Sequence, residues 1–303
     1  MPELPDIVAY MEALQSRVVG QALERVHLFS PFVLRSVTPP VSQIEGRRVL
    51  GLRRLGKQIV FGLEKDSFIV VHLMVAGRFQ WKEQTKRPRG PLGLAAFEFP
   101  SGTLILTEAG SKKRASLHLV DGEKELARFN RGACEILQST LGEFRSTLTR
   151  ENHTVKRSLT DPRLFSGVGN AYSDEILNRA RLSPMKLTAR MTEEEVARLY
   201  DAAKSTLIEW IDRLRREALL EFPAKVTAFR PEMSVHGRYG KPCPACGSPV
   251  QRIVYAENEC NYCATCQTDG RLLADRALSR LLKEDWPRSL DDWDSHFGSR
   301  REM

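Results

Sequence analysis

The sequence has little of what marks membrane, secreted and disulfide-stabilised proteins. No stretch approaches the ~20 consecutive apolar residues that cross a membrane, and aromatic residues make up only 8% of the chain. The first residues, including Pro2, Glu3 and Pro5, lack the basic and then apolar order of a secretion signal. We therefore expect a cytoplasmic protein without membrane contact, whose 303 residues form two domains and a small appendage.

Cysteine is also scarce, and its placement is uneven. Five of the 6 cysteines lie between residues 243 and 266, which argues against a disulfide framework spread over the chain. Cys243 and Cys246 form one C-x2-C pair, Cys263 and Cys266 form another, and 16 residues separate the pairs, as in four-thiolate zinc sites. Four protein ligands leave no open position for a catalytic water, so the predicted cofactor is one structural zinc ion. Cys260 fits the ligand spacing less well.

Positive charge is the feature that the chain has in excess. The formal net charge is +8, and residues 43–90 alone carry 11 Lys or Arg against 4 acids. Residues 284–303 have the opposite balance, with 6 acids and 3 Arg. This distribution predicts a polyanionic partner for the first half of the chain, although a ribosomal or membrane-surface protein has the same balance.

The hydrophobic pattern predicts an α+β fold: an N-terminal helix on an antiparallel β-sandwich, then a helical domain, then a cysteine hairpin. Residues 3–20 have apolar side chains at helical spacing, and helical spacing returns near residue 140 and continues through 193–220. Between these regions, β-rich runs are clearest at 58–63, 68–73, 95–99 and 103–107. The predicted domains are 1–135, 136–235, 236–270 and 271–303. The last is expected to hold a helix with Leu272, Leu273, Leu278, Leu281 and Leu282, followed by a polar tail.

Two glycines precede a predicted helix in the second half of the chain. Gly167 and Gly169 allow a sharp backbone turn, and Asn170 then begins a helix whose free N–H groups can bind an anion. The turn is therefore a candidate phosphate clamp, and an ordinary helix cap is the alternative.

Several segments together resemble the formamidopyrimidine-DNA glycosylase and endonuclease VIII family. The matching segments are Pro2-Glu3-Leu4-Pro5-Asp6, Leu55-Gly56-Lys57, the run from His72 to Phe79, the run from Lys156 to Asn170 with Tyr172, Glu175 and Ser183-Pro184, and Cys263-Ala-Thr-Cys266-Gln267. They occur in the family's order over residues 2 to about 270. The resemblance implies a catalytic β-sandwich, a helix-two-turn-helix domain, a zinc-finger hairpin, and excision of oxidised bases from damaged double-stranded DNA in base excision repair.

The resemblance also implies roles for individual residues. Pro2 is the expected nucleophile, Glu3 the general acid or base, and Lys57 a phosphate contact near the lesion. Met74 matches the wedge that fills the gap left by a flipped nucleotide. Further DNA contacts are expected at Lys156, Asn170 and Tyr172.

The chemistry of Pro2 follows from its position once Met1 is removed. An α-amino group has an ordinary pKa near 7.7 to 8, so much of it is unprotonated at neutral pH, unlike lysine. Attack of this secondary amine on the sugar C1′ displaces the base and forms an iminium, which acidifies neighbouring C–H bonds and permits strand elimination. Glycosylase and abasic-site lyase steps then share one intermediate.

Two segments depart from the family pattern. The loop at residues 108–117 lacks the usual Asp, Arg and Phe that complete the wedge, and we expect Arg114 to contact the unpaired base and Leu117 to replace the aromatic residue. Asn258 stands where relatives often carry a phosphate-binding arginine in the hairpin. These departures leave the preferred lesion open between oxidised purines, which are favoured, and oxidised pyrimidines.

The leading hypothesis is a monomeric bifunctional DNA glycosylase and lyase, associated with the nucleoid when it is on DNA. A non-catalytic protein that binds damaged DNA through the zinc hairpin and helical clamp is the alternative. A zinc-ribbon protein of RNA or ribosomes explains the charge and the cysteines, but it does not explain the Pro2-Glu3 start.

Overall fold

A computed structural model describes residues 1–83, 93–110, 112–224, 226, 229–255, 258–274, 280–283 and 287–292. Its described helices are α1 (Leu4–Val18), α2 (Glu123–Leu126), α3 (Leu141–Leu148), α4 (Val155–Thr160), α5 (Asn170–Arg179), α6 (Glu193–Leu220) and α7 (Ala264–Thr268). Its strands are β1 (Arg25–Leu28), β2 (Val49–Leu55), β3 (Gln58–Leu63), β4 (Ser67–His72), β5 (Gly77–Lys82), β6 (Gly93–Phe99), β7 (Gly102–Glu108), β8 (Ser116–Asp121), β9 (Val250–Tyr255) and β10 (Asn258–Cys263). None of the described helices has the length and apolar composition of a membrane span.

The first compact unit comprises residues 1–133 and 208–227. Its strands form two four-stranded antiparallel sheets, with the orders β1-β6-β7-β5 and β2-β3-β4-β8. Alternating side chains such as Phe61, Ile69 and Leu106 face a common core that also holds Ile7 and Tyr10 of α1. The predicted helix on an antiparallel sandwich is therefore confirmed.

The second compact unit comprises residues 134–207 and 228–303. Its helices surround a core in which the rings of Phe144 and Phe165 lie 4.9 Å apart. The carbonyl of Asp161 accepts hydrogen bonds from the backbone of Leu164 and Phe165, which makes the two-turn connection between α4 and α5. The antiparallel β9-β10 hairpin follows, so the predicted helical domain with a C-terminal cysteine hairpin is also confirmed.

The segment after α7 differs from the expected helix. Asp269 and Gly270 have positive φ angles of 51° and 82°, which end α7. Leu272 and Leu273 are then non-helical and pack on the hairpin, where the Leu273 backbone donates to the Tyr262 hydroxyl at 2.8 Å. Helical turns are found at residues 280–282 and 290–292, and Leu278 lies outside the described residues. The boundaries of the four predicted domains remain predictions.

Candidate functional site

The start of α1 is built from two buried acids. The Glu3 backbone N–H donates to Asp6 Oδ2 at 2.9 Å, and the Glu3 carboxylate accepts from the Asp6 backbone in return. This reciprocal cap satisfies N–H groups that a helix end leaves without partners. Glu3 is 3% exposed and Pro2 is buried, so the fold holds the predicted nucleophile and acid in one fixed position.

The chain's amine, which Met1 carries here, lies in the electric field of four charged side chains. Burial lowers the pKa of this amine below its ordinary value; Arg78 and Lys57 lower it further, while Glu3 and Asp6 oppose the shift. A lowered pKa keeps more of an amine in the nucleophilic, unprotonated form at neutral pH. The sequence did not single out Arg78, because it is one of 11 Lys or Arg residues in the segment 43–90.

Lys57 lies in the two-residue turn between β2 and β3, beside Gly56, which has a positive φ of 61°. Burial lowers the pKa of its ammonium, and the charges of Glu3 and Asp6 oppose that shift. Lys57 therefore lies within electrostatic reach of the amine and of Glu3, so all three predicted catalytic residues belong to one region of the first unit.

The turn between β4 and β5 carries the predicted wedge. Met74 has a positive φ of 53°, and its backbone N–H donates to His72 Nδ1 at 3.0 Å. Gly77 donates to the Leu73 carbonyl at 2.9 Å, and a Cβ on Gly77 would lie 2.2 Å from that oxygen. Only glycine permits this closure. Met74 is thus in a turn, not in a strand of the core.

The hydrogen bond from the Met74 backbone requires a neutral His72 ring. Burial lowers the pKa of its imidazole to about 4, helped by the positive charges of Lys57, Arg131 and His118. A neutral ring can leave Nδ1 unprotonated as an acceptor. The sequence showed His72 only as part of a matching segment, because neither its burial nor its partner is visible there.

Val75 is the most exposed apolar residue of the same turn, at 53%. Met74 beside it is half-buried. The sequence did not single out Val75, since the relation of the turn to the protein surface is a tertiary property. The turn therefore presents two adjacent apolar side chains, of which Val75 reaches further into solvent.

The loop at residues 108–117 is pinned by a buried carboxylate. Glu108 is 1% exposed and accepts from the backbone of Arg114 at 2.8 Å and of Ala115 at 3.1 Å. Glu108 pairs with Gly77, so this loop adjoins the Met74 turn, and the Arg114 side chain is exposed. The expectation for Leu117 is wrong: it is fully buried in β8 because its side chain faces the sandwich core.

In the second unit, Asn170 begins α5 after Gly167, whose φ is +80°. The Asn170 amide donates to the Glu259 carbonyl of β10 at 2.7 Å. Asn170 is half-buried, so one edge of its side chain is held by the hairpin. Asn258 begins β10, and its side chain lies outside the described residues.

Two of the predicted DNA contacts lie inside the second unit instead of on its surface. Lys156 is 5% exposed, and its ammonium donates to Asp174, to the Ser173 hydroxyl and to the Asn170 carbonyl. Tyr172 is 2% exposed. A direct phosphate contact needs an accessible donor, so the expectation for both side chains is corrected: Lys156 contacts the turn at Asn170, and Tyr172 is part of the core of the unit.

Asp174 and His236 were missed from the sequence. Both are buried, and His236 Nδ1 lies 2.8 Å from Asp174 Oδ2. Glu175, quoted only as a family match, accepts from the backbone of Ser234, Val235 and His236 at 2.7 to 2.9 Å. The sequence carried one signal for Asp174: three adjacent polar residues, Ser173 to Glu175, occur in α5, where an amphipathic helix would place apolar residues on its buried face.

The four predicted cysteine ligands converge. The sulfur atoms of Cys243, Cys246, Cys263 and Cys266 all lie within 4.8 Å of one another. Two of the separations are 4.0 and 3.4 Å, close to the ~3.8 Å expected between sulfurs about 2.3 Å from one tetrahedral ion. Cys260 points elsewhere, into the apolar cluster with Ile253 and Tyr262, and burial raises its pKa. The four thiols can hold one metal ion.

Two family profiles match the chain. One is described as the formamidopyrimidine-DNA glycosylase N-terminal domain and covers residues 1–115, and the other is the H2TH domain of the same enzymes and covers residues 134–217. A formamidopyrimidine-DNA glycosylase of Thermus thermophilus is 35% identical over 280 residues, which is 89% of this chain and 100% of the relative. That of Heliobacterium modesticaldum is 30% identical and covers 88% of this chain and 100% of its own length.

Solved structures agree with these matches. The MutM (Fpg) protein of Thermus thermophilus has a TM-score of 0.72 at 32% identity, covering 88% of this chain and 98% of that one. The Lactococcus lactis enzyme bound non-covalently to DNA with an abasic site has a TM-score of 0.77 at 24% identity, covering 88% and 99%. By its sequence over most of its length, its helix-two-turn-helix and its cysteine cluster, the chain belongs to the formamidopyrimidine-DNA glycosylase family of base excision repair enzymes.

Proposed function

We propose that this protein excises oxidised bases from damaged double-stranded DNA and then cleaves the abasic strand, acting as a monomer with Pro2 as nucleophile. The observation that carries this proposal is the start of α1, where Pro2 is buried beside the capped, buried Glu3. Pro2, once Met1 is removed, places a secondary amine in the same region.

The proposed reaction uses the protein's own groups. The Pro2 nitrogen attacks C1′, the bond between C1′ and the base breaks, and the base leaves with the proton that the Pro2 amine loses. Protonation of the ring oxygen by Glu3 opens the sugar and leaves an iminium between Pro2 and C1′. Loss of a C2′ proton then expels the 3′ phosphate, and water hydrolyses the iminium to release Pro2.

Positioning of the strand is assigned to both units. Lys57 neutralises a phosphate beside the lesion, and Asn170 holds the neighbouring backbone. Met74 and Val75 fill the space of the flipped nucleotide, with Arg114 on the unpaired base. Asn258 contacts the DNA at the position where relatives often carry a phosphate-binding arginine in the hairpin.

The metal ion is assigned as zinc, bound by Cys243, Cys246, Cys263 and Cys266. Thiolate ligands in two C-x2-C pairs are typical of zinc, and four of them complete its coordination. Zinc in this closed site stabilises the hairpin and takes no part in the reaction.

The proposed lesions are formamidopyrimidine and 8-oxoguanine, with oxidised pyrimidines as the second class. Solved relatives include MutM with DNA carrying carbocyclic 8-oxo-G and the Lactococcus lactis enzyme with DNA carrying Fapy-dG. Excision assays on duplexes with one defined lesion each would rank the two classes, and faster release of oxidised pyrimidines would reverse the assignment.

Borohydride trapping tests the mechanism. The purified protein is incubated with duplex DNA carrying an abasic site or 8-oxoguanine, and the reductant should fix a covalent adduct through Pro2. Pro2→Gly, or a form that retains Met1, should lose the adduct by a factor of roughly 10³ or more. An undiminished adduct in both forms would mean that another amine is the nucleophile.

A non-catalytic DNA-binding protein is the second candidate, favoured by the departure at residues 108–117, where Leu117, the residue expected to replace the aromatic wedge, is buried instead of accessible. It predicts salt-sensitive binding to damaged DNA with neither adduct nor cleavage.

A further inference from the structure

A buried polar network joins α5 to the hairpin, outside the proposed catalytic apparatus. Asp174, 1% exposed, is its centre. One carboxylate oxygen accepts from the Lys156 ammonium, and the other accepts from His236 Nδ1 at 2.8 Å and from the Asn261 backbone at 3.1 Å. Asp174 therefore ties together α4, β10 and the segment that leads into the hairpin.

The network reaches Asn170 from two directions. The Lys156 ammonium that contacts Asp174 also donates to the Asn170 carbonyl at 3.2 Å. On the other side, the Asn170 amide donates to the carbonyl of Glu259, whose carboxylate accepts from the Asn261 side chain at 2.8 Å. The Asn170 carbonyl is thus linked to Asp174 through Lys156, and the Asn170 side chain is linked to it through Glu259 and then Asn261.

His236 closes the network. Its ring is stacked on Phe229 with an interplanar angle of 18°, and its backbone N–H donates to Glu175 at 2.9 Å. The next residue, Gly237, donates to the Asn261 side chain at 2.8 Å. The imidazole therefore approaches Asp174 in one orientation, because its backbone and its ring face are both fixed.

We propose that Asp174 and His236 are positioning residues that hold Asn170 in the geometry with which it clamps a DNA phosphate. The inference rests on the proposed function of Asn170. Buried charged groups in a network tolerate few alternative arrangements, since a lost partner leaves the remaining charge unpaired. Lys156 in this arrangement serves DNA binding through Asn170 and not through a contact of its own.

A double-mutant cycle on Asp174 and Asn170 tests the proposal. Asp174→Asn keeps the side chain's shape, but its amide nitrogen faces two donors, from His236 and from Asn261. We expect roughly tenfold weaker binding to duplex DNA carrying a tetrahydrofuran abasic analogue, the size of effect seen when a supporting partner of a built site is lost. In an Asn170→Ala background the same change should have no further effect, because Asp174 acts through Asn170.

Additive effects in this cycle would overturn the proposal, since they would assign Asp174 a separate structural role. Unchanged DNA affinity in Asp174→Asn, while Asn170→Ala weakens binding, would overturn it while leaving the proposed function intact. If Asn170→Ala itself leaves the affinity unchanged, the clamp in the proposed function fails as well. Glu193→Gln, which removes an exposed carboxylate paired with Arg145, is the matched control and should bind normally.

Substitutions of His236 provide a second test, which leaves the buried charges of Lys156 and Asp174 unchanged. The amide nitrogen of Asn occupies the place of Nδ1, so His236→Asn should retain the hydrogen bond to Asp174 and near-normal DNA affinity. His236→Leu should show the same loss as Asp174→Asn, with an unchanged zinc content of one ion per chain. Equal DNA binding by the two His236 variants would contradict the positioning role.

Discussion

Both compact units bury charged side chains, but they do so in different ways. Around the chain's amine, Glu3, Lys57 and Arg78 act on the amine through the electric field, and burial shifts its pKa and that of Lys57. In the second unit, Lys156 and Asp174 are joined to each other and to backbone groups at hydrogen-bond distance.

This difference separates reaction from positioning. A group whose protonation is shifted by its surroundings is suited to transfer a proton or attack a carbon atom. A charged group that makes its hydrogen bonds inside the protein instead holds the neighbouring residues in position. Substitutions at Glu3 in the first unit should therefore mainly change rate, and substitutions around Asp174 in the second should mainly change DNA affinity.

The largest effect is expected at Glu3. Glu3→Gln keeps an acceptor for the α1 cap but removes the acid, so base excision should slow by roughly 10²- to 10⁴-fold while DNA affinity changes little. Single-turnover excision and a binding titration on the same duplex measure both quantities. Glu12→Gln, on the exposed side of the same helix, should behave like the unmodified protein. A parallel loss of affinity in Glu3→Gln would break the distinction between the units.

Loss of a metal ligand should weaken DNA binding, the quantity that Glu3→Gln is expected to change little. Cys243→Ser is expected to lose the zinc ion and to bind abasic-analogue DNA roughly 10- to 100-fold less tightly, because the hairpin that holds Asn170 loses its support. Zinc analysis and binding titration give the result. Cys260→Ser serves as the control and should retain zinc, since Cys260 lies in the apolar cluster. Zinc loss in the Cys260 variant alone would reassign the ligand set.

A smaller effect is expected at the turn of Met74 and Val75. Loss of one apolar contact to bases corresponds to about 1 kcal/mol, so Val75→Ala should slow excision of 8-oxoguanine about fivefold. Cleavage at a preformed abasic site, which is easier to flip, should change less. Met74→Ala is the matched variant, and a defect confined to it would assign the wedge to Met74 alone. The two variants thus decide which residue of the first unit forms the wedge.

An effect on stability instead of activity is an acid sensitivity that should distinguish the first unit. Burial lowers the pKa of His72 to about 4 from an ordinary value near 6.5, so its neutral form is stabilised in the folded state. This contribution is fully present above pH 6.5 and is lost as the pH falls toward 4, because the unfolded state binds the proton first. Urea unfolding between pH 7 and 4 should show this loss, and His72→Gln should reduce it. An equal slope in both proteins would refute the assignment.

The elements of the fold were largely predictable because period-two and helical patterns reflect burial. The strand predicted at 58–63 and the helix predicted at 193–220 agree with β3 and α6. The predicted C-terminal helix does not include Leu272 and Leu273, because these apolar residues pack on the hairpin, and the pattern alone does not show which neighbour buries them.

The site was predictable where motifs are local. The cysteine pairs and the turn before Asn170 depend on short spacing, which the sequence displays. Leu117, Lys156 and Tyr172 were misjudged because exposure depends on residues far away in the chain. Asp174 and His236 are 62 positions apart and have no local signature.

The sequence by itself determined the family, the order of the elements and the four cysteines that converge as a possible metal site, since each depends on residue type at fixed spacing. Only the tertiary structure decided which charges are available for chemistry. Burial and long-range hydrogen bonds set both the pKa of the chain's amine and the internal role of Lys156, and neither property belongs to a residue apart from its folded surroundings.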